Sequence, residues 1–182
     1  VQSFGGLLTV RDRAQFIPAQ LDPKLEGKAA ATMMCDDKKQ IWVSFAGGLA
    51  RADGTRMVAV DDSVLAKLPA DSSIVGFDHS APVLSDGHVT YRYTSRGVVD
   101  EIRWTDGAAV AAVTCLYVAG GVTVVTADRG EGSLEGTQLV PNPNPAFPSA
   151  PSLAALTRLT ADGSVYRTGT ANGEQLVRRL NG

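Results

Sequence analysis

The sequence is poor in the residues that usually carry chemistry. Among 182 residues there are two cysteines and two histidines, and aromatic side chains make up 6%. Cys35 and Cys115 are too few for a disulfide framework and lie in apolar, strand-like surroundings, so both are expected to be buried free thiols. No His or Cys pair has zinc-site spacing, and the doublets Asp36-Asp37 and Asp61-Asp62 lack the oxygen-rich loop of a calcium site. Neither a metal nor a cofactor is therefore expected. No asparagine opens an N-x-S/T sequon. No run approaches the ~20 apolar residues a bilayer demands. The longest, residues 108–125, is interrupted by Thr114, Gly120, Gly121 and Thr123, which argues against membrane insertion. Seventeen Lys and Arg against 19 Asp and Glu leave a formal net charge of −2. The cations are scattered, so no nucleic-acid footprint is present.

What the chain has in quantity is β pattern. Residues 88–128 read as two consecutive hairpins. If Arg96-Gly97 is a two-residue turn, Val89, Tyr91 and Tyr93 share a face with Val98, Asp100, Ile102 and Trp104, and the other face sets Arg92 across from Glu101. Such alternation is expected of an antiparallel sheet with one wet side. The second hairpin, turning at Gly120-Gly121, pairs Cys115, Tyr117 and Ala119 with Thr126, Val124 and Val122. It carries no charge on either face before Asp128, so it is expected to be covered on both sides, in the middle of a sandwich or barrel.

Elsewhere, residues 5–11, 29–35, 40–46 and 72–77 read as strands, residues 12–28 as a mostly irregular arm, and Asp53-Gly54 as a hairpin turn. Residues 63–68, capped by Ser63 and stopped by Pro69, predict at most two helical turns. Pro82 reads as a break, and residues 129–136 (RGEGSLEG) as a glycine-rich acidic loop before a short strand at 137–140. Five prolines at 141, 143, 145, 148 and 151 make residues 141–151 an extended strap that sets off a C-terminal hairpin unit, 152–182. The expected fold class is all-β, an antiparallel sandwich or barrel of about a dozen short strands with very little helix. Residues 1–182 form a single β-rich domain in this reading. The start at Val1 is expected of a chain that is processed or cut from a longer protein.

The final unit, LTRLTADGSVYRTGTANGEQL, resembles one blade repeat of the regulator-of-chromosome-condensation propellers in its strand, Asp-Gly turn, Val-Tyr strand, Asn-Gly and Gln-Leu. Arg167 and Thr168 stand where that repeat has its tryptophan, and no second full copy exists, so the resemblance assigns no family.

No catalytic set emerges. Phe77-Asp78-His79-Ser80 contains the residue types of a hydrolase triad, but neighbours on a strand point to opposite faces. His88 follows an Asp86-Gly87 turn and reads as an ordinary loop histidine, while Glu131 occupies the first glycine position of a nucleophile elbow. The candidate binding residues are arginines. Turns at Asp53-Gly54 and Asp162-Gly163 would set Arg51 opposite Arg56 and Arg158 opposite Arg167, pairs whose repulsion points to a shifted register, to acidic neighbours or to a bound anion such as a sugar carboxylate.

These features predict a non-catalytic β-rich binding or structural module. The leading expectation is a protruding or attachment domain of a viral or phage coat or fibre protein, homodimeric, on a virion surface, binding a host receptor or glycan. The alternatives are a cellular or bacterial interaction module, either a propeller fragment or a carbohydrate-binding sandwich, and a hydrolase with an unrecognised site.

Overall fold

Aspartate and glycine punctuate the chain, and strands fill the intervals. The computed structural model describes residues 19–60, 68–94, 97 and 99–143, and beyond them the backbone of six strands. The strands are β1 (Gln2–Phe4), β2 (Leu7–Asp12), β3 (Gln15–Pro18), β4 (Gln20–Leu21), β5 (Ala30–Cys35), β6 (Ile41–Phe45), β7 (Gly48–Asp53), β8 (Arg56–Ala59), β9 (Ser73–Asp78) and β10 (Ala81–Ser85). There follow β11 (Thr90–Tyr93), β12 (Val99–Trp104), β13 (Cys115–Ala119), β14 (Val122–Ala127), β15 (Gly130–Glu135), β16 (Gln138–Pro141), β17 (Thr157–Leu159), β18 (Val165–Ala171) and β19 (Glu174–Arg179). Among the described residues one 3-10 turn, Pro23–Leu25, is capped by the Asp22 carboxylate. The all-β expectation holds.

Three antiparallel meanders of four strands follow one another: β5–β8, β9–β12 and β13–β16. Their first strands begin at Ala30, Ser73 and Cys115, and β17 opens the next group at Thr157, giving intervals of 43, 42 and 42 residues. The meanders stack face to face. Neighbouring residues of β6 show this, because Val43 packs with Leu25, Phe45 and Met57 on one side while Trp42 packs with Leu49, Ile74 and Leu84 on the other. In β10, Leu84 turns to the core shared with the first meander and Val83 to the core shared with the third. That second shared core holds Ile102, Trp104, Val110, Val125, Leu134 and Leu139. Both faces of the β9–β10 hairpin are thus buried, whereas β12 alternates as a half-wet sheet requires, with Ile102 and Trp104 buried and Arg103 exposed between them.

Two strands join the layers edgewise. β12 and β16 pair in parallel at Arg103–Gln138 and Trp104–Leu139, so the second and third meanders form one eight-stranded sheet, ordered β13-β14-β15-β16-β12-β11-β10-β9. The sheet bends back until its ends meet in a nearly closed, barrel-like form. A Cβ added to Gly76 of β9 would lie 3.0 Å from Leu116 Cβ of β13. The bare glycine is what lets Leu116 settle there.

Several expectations are corrected by this arrangement. The Gly120-Gly121 hairpin has the expected register, Cys115 against Thr126 and Ala119 against Val122, and apolar cores on both faces. It stands at one end of the eight-stranded order, and Val122 at its tip is 43% exposed. The preceding hairpin slips by one residue: Arg92 faces Asp100, and Tyr93 faces Val99, because the connection runs from Thr94 past Gly97, whose N–H donates to Thr94 O. Residues 12–28 contain β3, β4 and the 3-10 turn, not an irregular arm. Pro82 lies inside β10, opposite Phe77, and β11 pairs only from Val83 onward, so the missing N–H interrupts no bond on that side.

The expected loop at 129–136 is largely strand β15. Glycine is required at its centre, since a Cβ on Gly132 would come within 2.7 Å of Val140 O and 2.8 Å of Leu139 Cγ. Glu131 is buried there, 5% exposed, and accepts from Asn142 Nδ2 at 3.1 Å and Tyr117 Oη at 3.4 Å. Cys115 is buried and outside any disulfide as expected, whereas Cys35, also outside any disulfide, is exposed. The expected helical turns at 63–68 and most of the proline strap lie outside the described residues.

Candidate functional site

At the end of the stack that carries the β5–β6 and β9–β10 turns, a cleft of about 880 Å³ opens between the first and second meanders. Turn chemistry builds one wall. Asp36 Oδ1 accepts from the backbone N–H groups of Lys38 at 2.9 Å and Gln40 at 2.8 Å, and its Oδ2 accepts from Trp42 Nε1 at 3.2 Å. That closed Asx-type turn leaves Lys38 exposed on the cleft edge. Arg51 of β7 faces the same space and has no ion-pair partner among the described residues. Trp42 and Tyr93 meet edge to face beneath it, ring centroids 5.9 Å apart.

The other wall is the β9–β10 hairpin. His79 stands in the left-handed region at φ 55, and that backbone turn brings its Nδ1 to 3.0 Å from Asp78 Oδ1. The sequence expectation that these neighbours cannot meet is therefore corrected, because His79 sits on the hairpin turn and not within a strand. Asp78 is 7% exposed and fully engaged. Arg92 Nη2 lies 2.5 Å from its Oδ2, and Thr123 Oγ1 of β14 donates to its Oδ1 at 2.5 Å. Arg92 Nη1 in turn reaches Gly136 O at 3.3 Å, so the pair ties the second meander to the third. The buried Nε of Arg92 has no acceptor among the described residues.

An ionised carboxylate only accepts, so His79 Nδ1 carries the hydrogen in its bond to Asp78. In the neutral ring Nε2 is then an acceptor. Among the described residues no hydroxyl or thiol hydrogen-bonds to His79, and Ser80 follows it without forming the third member of a relay. The cleft offers two cations without an ion-pair partner among the described residues, one imidazole acceptor and an aromatic floor, a set of groups suited to holding a ligand.

The four arginines singled out by sequence separate. Arg51 is opposite Val58 and lines the cleft, while Arg56 is opposite Asp53, so the expected Arg51–Arg56 opposition does not occur. The turn is Gly54-Thr55, one residue later than expected. Arg158 pairs with Tyr166 and Arg167 with Thr157, which removes their opposition too, and Arg167 instead faces Arg178 across β18–β19. Lys38, Arg92 and Tyr93 reach the site through tertiary structure, and no spacing in the sequence marks them.

Neither a family model nor a curated protein matches the sequence. Solved structures are similar in fold. The extracellular domain of a one component system from B. thetaiotaomicron matches with TM-score 0.50 at 14% identity, over 92% of this chain and 24% of that one. An extracellular domain of a hybrid two component system from the same organism gives TM-score 0.47 at 13% identity, over 82% and 20%. Virginiamycin B lyase from Staphylococcus aureus gives 0.41 at 13% identity, over 84% and 55%. The chain spans about a quarter or less of the first two and about half of the third.

Proposed function

We propose that the chain is a non-catalytic binding module, an arc of a propeller-type array that holds a small ligand between neighbouring meanders. One observation carries the reading: four-stranded meanders recur at 42–43 residues and stack with one interface left open as a cleft of about 880 Å³. The period falls in the range of blade repeats, and the volume in the range of small-molecule sites. The fold likeness at TM-score 0.50 supports the architecture, and that neighbour's description as an extracellular domain supports a setting outside a bacterial cell. Of the sequence expectations, the bacterial interaction module gains from this. The viral attachment domain, with its homodimer and receptor, draws no support from the comparisons.

A thermal-shift screen of sugars, organic acids, amino acids and nucleotides tests the reading. A ligand at 100 times its Kd raises stability by about 2.7 kcal/mol. The expected result is stabilisation by one chemical class, lost in Ser80→Trp, which plugs the cleft; stabilisation that survives the plug would place the ligand elsewhere. The Asp78–His79 hydrogen bond favours one rival, a hydrolase. Turnover in a hydrolase screen that His79→Ala abolishes would replace the binding reading with that one.

A further inference from the structure

We infer that the ligand of the open cleft is a hydroxycarboxylate, its carboxylate held by Arg51 and Lys38 and its hydroxyl donated to Nε2 of His79. The inference rests on the binding-module reading and specifies the chemistry of that site. Charge decides the first half. Both carboxylates in the cleft wall are consumed, Asp36 by Trp42 and two backbone N–H groups, Asp78 by Arg92, Thr123 and His79. Lys38 and Arg51 are left without a counter-charge among the described residues, facing one concave space. A guanidinium presents a planar fork that matches a carboxylate through two parallel hydrogen bonds, and an ammonium adds a point charge. Among the described lining residues the cations Lys38, Arg51 and Arg92 outnumber the carboxylates Asp36 and Asp78, which favours an anionic ligand over a cationic one.

The imidazole decides the second half. With Nδ1–H committed to Asp78, the neutral ring offers Nε2 as a lone-pair acceptor on a side chain that is 53% exposed. An acceptor cannot hold a carboxylate oxygen, but it does hold a hydroxyl. A ligand carrying both groups satisfies the cations and the imidazole together, and the Trp42–Tyr93 pair supplies an apolar surface beneath its carbon skeleton. The same chemistry is found in a free hydroxy acid and in a sugar acid.

Isothermal titration calorimetry of the full chain with lactate, D-glucuronate, acetate and D-glucose separates the cases. Lactate and glucuronate are expected to bind, acetate at least about fivefold more weakly, and glucose not measurably. Comparable affinities for the two binders assign the site to free hydroxy acids, and binding of glucuronate alone assigns it to sugar acids; either supports the inference. Lys38→Gln with Arg51→Gln should weaken binding at least tenfold. Arg56→Gln, on the neighbouring strand opposite Asp53, should leave it unchanged. His79→Ala should lower affinity for lactate or glucuronate but not for acetate. Glucose binding that ignores the double substitution would overturn the hydroxycarboxylate and spare the module. Silence from all four probes, in a protein that the thermal-shift screen shows to hold some other ligand, would do the same.

Discussion

The two interfaces of the stack are built alike and finished differently. Between the second and third meanders, Ile102, Val110, Val125 and Leu139 fill the space, and the Asp78–Arg92 pair with Thr123 and Gly136 O latches one end. Between the first and second, Trp42, Leu49, Ile74 and Leu84 fill the middle, but at the same end no latch crosses among the described residues and the cleft opens. The difference shows how a repeat becomes a site. Hydrogen-bonding groups that could close the first interface are spent on their own turns, as Asp36 is, or on the far neighbour, as Asp78 and Arg92 are. Apolar packing holds the layers in place, and the direction of a few polar side chains decides which gap remains.

Unfolding measurements can break this comparison. Leu139→Ala, at the fully buried centre of the latched interface, is expected to cost about 3–4 kcal/mol in urea denaturation followed by circular dichroism. Arg92→Ala should cost about 2–3 kcal/mol, because it strips a buried carboxylate of its counter-charge. A value under about 0.5 kcal/mol, typical of a surface charge, would show that the latch does not hold. Tyr93→Ala, at the floor of the open end, should cost only about 1–2 kcal/mol, since the ring is already partly exposed. If it equals Leu139→Ala, the first interface is no looser than the second.

Thiol labelling sharpens the contrast without mutation. Cys115 should stay unreacted until the protein unfolds. Cys35 should react in the native state, slowly near neutral pH and faster as pH rises, because burial, and then the neighbouring Asp36, push its thiol up. The smallest effect is expected at Asp86. Burial alone would raise its carboxyl, but the backbone N–H groups of Val89 and His88, each 2.8 Å from Oδ1, outweigh that and hold it below its ordinary value. A carboxyl lower in the folded than in the unfolded chain contributes stability that is present above about pH 4 and is lost as pH falls through the folded value. Asp86→Asn should therefore lose a few tenths of a kcal/mol at neutral pH and almost nothing in acid.

Local chemistry made some of this legible. Two adjacent glycines set the 115–126 hairpin to the exact residue, because both Gly120 and Gly121 take positive φ. Longer or shifted turns escaped, and a register shift of one residue past Thr94 and of two at Gly54 carried every facing pair with it. β15 was hidden because Leu134 alone among its buried positions reads as apolar, the others being Gly130, Gly132 and a hydrogen-bonded Glu131. The repeat escaped for a related reason. The meanders share spacing and geometry but not residues, so a search by letters finds only Asp-Gly turns. At the site, Arg51 was visible and its supposed partner was not the right one. Asp78 and His79 were seen but judged out of reach, since no pattern announces a left-handed histidine.

The even interval also bears on how the protein is made. A unit of 42 residues takes about 2–8 s to emerge at 5–20 residues per second. Small β units close in milliseconds to seconds, so each meander has time to form and dock on its predecessor before the next is synthesised. The first two meanders can meet early, and the gap between them exists from then on. Its Asp78–Arg92 wall, however, is braced by Thr123 and Gly136 of the third. The cleft is thus completed by a later-born unit that supplies none of its described lining residues, and a chain halted before residue 136 would carry the cleft without its finished wall.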